Sequence, residues 1–280
     1  MPLRGTLQSS NRVKMPEGPE VKLYVDKLNK LYANKTIKNV DVLSGRYLKK
    51  PIDNLGSLNG QKVLSVNCKG KFIWFELQRN IIFNTLGMTG SWSRVNKKHS
   101  RLQINFVEDD HVYFNDIRNF GTFHVKTREE LVKKLKSIGP DMLSNPPHNF
   151  VQIMRKRDSK NICEVLMKQN IISGVGNYIK AESLWLSKIN PHATISSLSD
   201  KDLMRLELAI LHVIRESYKS QGASLKTYTN FDNEEGEATD FFNVYSKKID
   251  PLGNQVIKEE TPDKRTTHWS PGRQVFGVVN

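Results

Sequence analysis

The chain has 280 residues, of which 43 are Lys or Arg and 29 are Asp or Glu, giving a formal net charge of +14. That length accommodates one large domain or two to three small ones, and that charge calls for a polyanionic partner. Two cysteines exclude a disulfide scaffold and a four-cysteine zinc site, and no run reaches the roughly 18 apolar residues of a membrane span. Residues 1–14 read as an unstructured leader without the apolar block of a secretory signal. The low cysteine content fits a reducing, intracellular compartment. An amphipathic helix follows, with Val21, Tyr24, Val25, Leu28, Leu31 and Tyr32 recurring at spacings of three and four. Pro19 suits its first turn, and Glu17 and Glu20 suit its positive end.

From about residue 36 to residue 126 the period shortens. Lys62–Val66, Phe72–Leu77, Ile81–Asn84, Leu102–Val107 and His111–Phe114 are rich in Val, Ile, Phe and Trp, and turns such as Asn59-Gly60 punctuate them. Short strands at this spacing predict an antiparallel sandwich or barrel. Past Glu129 the chain turns helical, over Glu130–Ile138, Asn161–Gln169 and Asn177–Leu186. The clearest helix opens with a capping pair, Ser199 and Asp202, carries Leu203, Leu206, Ile210, Val213 and Ile214 as one stripe, and stops at Gly222. Residues 230–239 are acidic and read as a loop. A hairpin-like segment closes the chain: Phe241–Lys247, a turn at Asp250-Pro251-Leu252-Gly253, then Gln255–Lys258.

Ser173-Gly174-Val175-Gly176-Asn177 opens a helix, where backbone N–H groups and the helix dipole bind phosphate. The same residues also suit a tight turn between packed helices, and on their own they favour that second reading.

Met15-Pro16-Glu17-Gly18-Pro19-Glu20 resembles the start of the formamidopyrimidine-DNA glycosylase/endonuclease VIII family. The resemblance continues through nearly the whole chain. Asn84 to Gly90 is similar to the family's void-filling methionine segment, Asn115 to Gly121 to its arginine/phenylalanine loop, Asn170 to Glu182 to its helix–two-turn–helix signature, and Tyr245 to Gln274 to its hairpin finger. The tail looks closest to the eukaryotic and viral endonuclease VIII-like branch.

The resemblance implies an α+β fold: an N-terminal helix with an antiparallel β-sandwich (15–140), a helix–two-turn–helix domain (141–229), a flexible loop (230–240), and a finger with tail (241–280). It implies a bifunctional DNA glycosylase and AP lyase of base excision repair, acting on oxidised pyrimidines and further-oxidised guanines. The partner would be damaged double-stranded DNA, with single-stranded DNA as a second form, bound by a monomer. Pro16 would be the nucleophile, because a free N-terminal amine has a reference pKa of about 7.7–8.0 against about 10.4 for lysine. Glu17 would act as acid and base beside the sugar. Lys71 would stand near the lesion phosphate as one of the catalytic residues, and Lys69, close enough to confuse the alignment, would bind DNA. Asn177 and Gly176 would bind the DNA at its phosphate, and Arg265 would grip phosphate and assist the second elimination. Met88, Arg118 and Phe120 would fill the gap left by an extruded nucleotide.

The chain departs from the family pattern twice. The positions matching the usual zinc ligands are Asp250, Asn254, Ser270 and Arg273, none of them Cys or His; no zinc or other cofactor is expected, and the finger is predicted to be zincless. The leader is the second departure, because Pro16 in a peptide bond has no amine to attack with. Met15 is therefore the expected functional start, or the leader is removed. If Pro16 stays blocked, the alternative is a non-catalytic binder of damaged DNA.

Overall fold

The computed structural model describes residues 16–222 and 242–275. The expected leader and acidic loop lie outside the described residues. The elements run α1 (Gly18–Tyr32), β1 (Ile37–Val42), the single turn α2 (Arg46–Lys49), β2 (Val63–Lys69), β3 (Phe72–Leu77), β4 (Ile81–Thr85), β5 (Gly90–Ser93), β6 (Ser100–Phe106), β7 (His111–Asp116) and β8 (Thr122–Lys126). The helical half follows as α3 (Arg128–Ser137), α4 (Phe150–Arg155), α5 (Ile162–Met167), α6 (Asn177–Leu186) and α7 (Asp200–Lys219), and β9 (Ile257–Thr261) and β10 (Arg265–Trp269) close it.

The eight N-terminal strands form two antiparallel sheets, ordered β1-β6-β7-β5 and β2-β3-β4-β8. Aromatic and β-branched side chains on their facing sides make one core, with Trp92 between Phe75 and Phe114 at ring separations of 5.4 and 5.2 Å. The indole Nε1–H of buried Trp92 donates to Asn84 Oδ1 at 3.0 Å, so the ring's one polar atom is satisfied inside the core. The apolar stripe of α1 joins the same core through Val21, Tyr24, Val25, Leu28 and Tyr32. The α+β sandwich expected from the sequence is therefore present.

A second core lies among α4 to α7, around Phe150, Leu166, Ile179, Leu203, Ile210 and Ile214. The capping pair read from the sequence is formed: Asp202 N–H donates to Ser199 Oγ at 3.2 Å and Ser199 N–H to Asp202 Oδ2 at 2.8 Å. Thr127 and Glu130 do the same for α3.

The C-terminal hairpin differs from the sequence expectation. Around Asp250 to Gly253 the chain makes only a single bridge, Ile249 to Gln255, because the Asp250 carboxylate takes the N–H groups of Leu252 and Asn254 and closes a local loop. The strand pairing lies further on. β9 runs antiparallel to β10, and the turn is Pro262-Asp263-Lys264, with Lys264 at φ +60°.

Candidate active site

Three glycines far apart in sequence meet at one point. Gly18 at the start of α1 donates its N–H to Gly174 O at 2.9 Å, and a Cβ on Gly18 would lie 2.9 Å from Gly174 Cα. Gly70, in the β2–β3 turn at φ +58°, would put a Cβ 2.5 Å from the Cβ of Ser173. Its N–H donates to Asp141 Oδ2 at 2.7 Å, which ties the turn to the helical half. The Gly-rich segment before α6 is thus a packing junction, as its tight-turn reading holds. The junction brings residues 16–17, 69–71 and 176–177 to one place.

Pro16 and Glu17 are buried there. The Glu17 carboxylate accepts the N–H of Tyr178 at 2.9 Å and, more weakly, that of Ile179 at 3.3 Å. Glu17 starts α1 in the chain, yet its side chain caps the N-terminus of α6, 161 residues away. Gly176 makes this possible, since a Cβ there would stand 2.1 Å from Glu17 Cδ. Burial pushes the Glu17 carboxyl up, Lys71 pulls it down, nearby Glu20 pushes it up, and the two N–H donors pull it down; the balance lies at about 7. A carboxyl poised there holds either proton state near neutral pH.

Glu20 backs this arrangement. Its Oε2 accepts the Glu17 N–H at 2.9 Å, and its Oε1 accepts the Tyr178 hydroxyl at 3.0 Å, which also meets Ser217 Oγ at 2.8 Å. Tyr178 and Ser217 carry no spacing signal that would have singled them out.

Lys71 and Lys69 separate cleanly. Lys69 turns its ammonium to the carbonyl of Leu135 at 3.0 Å, at the end of α3. Lys71 faces the junction: burial lowers its pKa, Glu17 raises it, and Arg265 lowers it again. The last effect is like-charge repulsion, which places the exposed first residue of β10, Arg265, within electrostatic range of Lys71. Its neighbour Lys264 points away into solvent, 3.8 Å from Glu260. Asn177, first residue of α6, donates from Nδ2 to the carbonyl of Thr266 at 2.8 Å, and its buried Oδ1 has no hydrogen-bond partner in the structure.

The expected wedge residues lie on two loops tied together. Phe120 is 57% exposed, which excludes a core-packing role, and Ile117 beside it is equally exposed. Arg118 is exposed, and its Nη1 lies 3.3 Å from Met88 Sδ. Buried Asp116 joins the loops, accepting Thr89 Oγ1–H at 2.5 Å and Gly121 N–H at 2.6 Å, while Thr89 Oγ1 accepts Arg118 N–H at 2.8 Å. Arg101 closes the base by donating to the carbonyls of Asp116 and Ile117 at 2.7 and 3.1 Å. Thr89, Asp116, Arg101 and Ile117 escaped the sequence reading; Asp116 and Ile117 sit inside the quoted motif, Thr89 inside the methionine segment, and Arg101 has no local signal.

The four positions that match zinc ligands do converge, but their chemistry does not fit zinc. Asp250 Oδ1 takes the N–H groups of Leu252 and Asn254 at 3.0 and 2.8 Å, and Oδ2 takes Trp185 Nε1–H at 3.0 Å and Asn254 Nδ2 at 3.1 Å. Gly272 packs on the Asn254 amide, and the Arg273 guanidinium lies 4.1 Å from the Trp185 ring centre. The set is one carboxylate already engaged by donors, one amide, one hydroxyl and one cation, whereas a tetrahedral zinc site needs thiolates or imidazoles. Among the described residues no cluster of three His, Cys, Asp or Glu side chains is placed to hold a metal. Burial pushes the Asp250 carboxyl up, but the donors from Trp185 and Asn254 outweigh it and hold it at about 2. The part of the finger's stability that comes from this carboxylate is therefore full above about pH 4, the ordinary carboxylate value, and is lost as pH falls through about 2.

Residues 15–123 match the formamidopyrimidine-DNA glycosylase N-terminal domain, and residues 138–229 match the formamidopyrimidine-DNA glycosylase H2TH domain. The chain is 30% identical over 254 residues to the formamidopyrimidine-DNA glycosylase of Mycoplasma mobile, covering 86% of this chain and 91% of that protein. It is 29% identical over 271 residues to that of Oceanobacillus iheyensis, covering 92% and 96%. In structure it is similar to the Lactococcus lactis enzyme (Fpg) complexed with DNA containing an abasic site, with TM-score 0.83, 25% identity, and 92% and 99% of the two chains covered. The MutM (Fpg) protein of Thermus thermophilus gives TM-score 0.83 and 25% identity, with 94% and 100% covered. These similarities do not separate the formamidopyrimidine-DNA glycosylase branch from the endonuclease VIII-like one.

Proposed function

The chain belongs to the formamidopyrimidine-DNA glycosylase family, DNA glycosylases with AP-lyase activity that act in base excision repair, and from that premise we infer that Pro16, once N-terminal, is the nucleophile that excises oxidised bases from damaged DNA. One observation carries the reading. The carboxylate next in the chain, Glu17, is pinned by the N-terminus of α6 while it faces Lys71, so an acid/base group poised at about 7 stands beside the candidate amine.

The chemistry follows. The secondary amine of Pro16 attacks C1′ of the damaged nucleotide, the glycosidic bond breaks, and the base leaves with a proton. The sugar ring opens, and the Pro16 nitrogen ends as an iminium. Glu17 delivers a proton to the ring oxygen as it opens. The iminium acidifies the C2′ proton; its removal expels the 3′ phosphate, and a second elimination expels the 5′ phosphate. Lys71, Asn177 and Arg265 bind the phosphates around the lesion, and Met88, Arg118 and Phe120 occupy the gap in the duplex. Binding to undamaged duplex is electrostatic, so its affinity falls steeply with salt. No helix among the described residues is long and apolar enough to cross a membrane.

The resemblance of the tail sequence to the endonuclease VIII-like branch supports the reading of oxidised pyrimidines and further-oxidised guanines as substrates, in duplex and in single strands, for a monomer divided near residues 140 and 230. Single-turnover excision from duplexes carrying thymine glycol, a hydantoin or a formamidopyrimidine tests this. Thymine glycol and the hydantoin are expected to go first. Faster release of the formamidopyrimidine would overturn the branch preference, and tight binding with no release of any base would leave the non-catalytic reading.

The Glu17 proton gives a pH test. Because its pKa is raised, the acid form persists up to about 7 and is lost above it, so the excision rate falls on that side. Glu17→Gln is expected to remove that limb and slow excision by about 10²–10⁴-fold, the usual contribution of a positioned acid or base.

We read the finger as zincless, held by Asp250, Trp185, Asn254 and Arg273. Cleavage is expected to be unchanged by a strong chelator, whereas Asp250→Ala lowers the melting temperature and weakens DNA cleavage. Loss of cleavage on chelation, restored by zinc, would refute it.

A further inference from the structure

Among the ion pairs of the described residues, the most completely buried is that of Lys180. Its side chain is 0% exposed, and its ammonium lies 2.6 Å from Oδ2 of Asp263, which is 3% exposed. Charges this deep lose their hydration, and many buried pairs add little net stability; in some proteins such a pair is retained because it fixes one geometry. The partners join two elements with separate tasks. Lys180 lies one turn beyond Asn177 on α6, so both project from the same face of that helix. Asp263 is the centre of the β9–β10 turn, two residues before Arg265.

The carboxylate is oriented from both sides. Its Oδ1 accepts Thr261 Oγ1–H at 2.5 Å, and Thr261 is in turn 2.6 Å from Thr267 Oγ1 across the hairpin. One residue past Arg265, the Thr266 carbonyl accepts from Asn177 Nδ2. The first turns of α6 thus hold the hairpin on both sides of Arg265, at residues 263 and 266. The same helix end caps Glu17, so one rigid element references both Arg265 and the acid/base group.

We propose that Lys180 and Asp263 are a positioning pair: docking the hairpin tip on α6, they set the Arg265 guanidinium where it grips the phosphate and assists the second elimination. The proposal rests on the reading of Arg265 given above. The pair itself touches no reacting atom. Its loss leaves Pro16, Glu17 and Lys71 in place and misdirects Arg265.

The test uses the full chain beginning at Pro16 and a duplex with an abasic site. It compares wild type with Lys180→Met, Asp263→Asn, Lys180→Arg, Arg265→Ala and the double variant K180M/D263L, in which two apolar groups fill the space without charge. The readouts are the ratio of second- to first-elimination products, the yield of borohydride-trapped adduct, the melting temperature, and the salt dependence of binding to an uncleavable abasic analogue. Trapping is expected to stay near wild type in every folded variant of Lys180 and Asp263. The product ratio is expected to fall toward that of Arg265→Ala in K180M, D263N and the double variant, and to recover in Lys180→Arg. Loss of one phosphate contact lowers the salt slope by about 0.9, a readout independent of chemistry. If a single variant with an unpaired buried charge does not fold, the double variant decides the question. A folded double variant with a wild-type product ratio and salt slope overturns the proposal. Wild type that yields no adduct while the salt slopes change as expected faults the catalytic reading and leaves the positioning role standing; unchanged slopes remove both.

Discussion

Borohydride will trap a covalent adduct with abasic-site DNA on protein whose first residue is Pro16, and not on protein in which residues 1–15 remain attached. The difference is one of bonding. An amide nitrogen donates its lone pair to the carbonyl and has none to offer C1′, whereas a terminal amine, with a reference pKa of about 7.7–8.0, keeps roughly a tenth of its population unprotonated at pH 7, far more than a lysine does. The expected loss is complete within detection, on the order of 10³-fold or more, as for removal of any nucleophile that acts as a unit with its partners. The measurement compares protein begun at Met1 with protein begun at Met15, whose initiator methionine is removed to expose Pro16. N-acetylation of the second form supplies a blocked control with an otherwise identical chain. Pro16→Gly leaves a primary amine and is expected to trap slowly, which distinguishes loss of the best nucleophile from loss of every amine. An adduct of equal yield on the Met1 form would defeat Pro16 as nucleophile.

Gly176→Ala is expected to slow excision strongly while leaving the protein folded. The backbone at Gly176 (φ −134°, ψ −160°) is open to alanine, so the constraint is purely steric. The new methyl would lie 2.1 Å from Glu17 Cδ and 2.5 Å from its Oε1. Glu17 can yield only by surrendering the N–H groups of Tyr178 and Ile179. That displaces the acid/base group by about 1 Å or more, and misplacement on this scale costs about 10²-fold in rate. The two released N–H groups are buried, so the melting temperature should fall by several degrees, and excision is compared where both proteins remain folded. Gly56→Ala, where a Cβ meets nothing within 4 Å, is the matched control and should be silent. Wild-type excision by folded Gly176→Ala would show that Glu17 is not held where the chemistry needs it.

Both expectations converge on α6, which references most of the site. Its N-terminus caps Glu17, Asn177 and Lys180 hold the hairpin, the buried Glu182 carboxylate takes the N–H groups of Asn243, Val244 and Tyr245, and Trp185 donates to Asp250. Eight consecutive residues, Tyr178 to Trp185, are buried. A helix buried on all sides can fix several elements at once because none of its side chains is free to relax into water. Hydrogen bonds and packing along α6 thus give the described part of the finger a defined attachment.

The sequence by itself settled what local physics settles. The interior strands β3, β4, β6 and β7 stood out because both of their neighbours are strands and their apolar runs are dense; β2, covered by α1, stood out too. The sandwich strands left unread, β1, β5 and β8, are all sheet edges. β1 is largely half-exposed and carries an irregular register, so its pairing comes from β6 rather than from its own pattern. Ser199 with Asp202 marked a helix start because a capping pair is local, its two residues three positions apart. Pro16, Glu17, Lys71, Asn177 and Arg265 were named from contiguous motifs, whose residues are legible without knowing what they face. Tertiary structure alone decided which of Lys69 and Lys71 turns toward the site, since that choice depends on α3 offering a carbonyl to one of them. It alone decided that Glu17 reaches across to cap α6, that the finger turns at Pro262 to Lys264, and that Lys180 meets Asp263. The Glu17 and Lys180 contacts join residues 161 and 83 positions apart. Spacing along the chain carries no information about such meetings: close packing of three glycines brings Glu17 to α6, and docking of the β9–β10 turn on α6 brings Asp263 to Lys180.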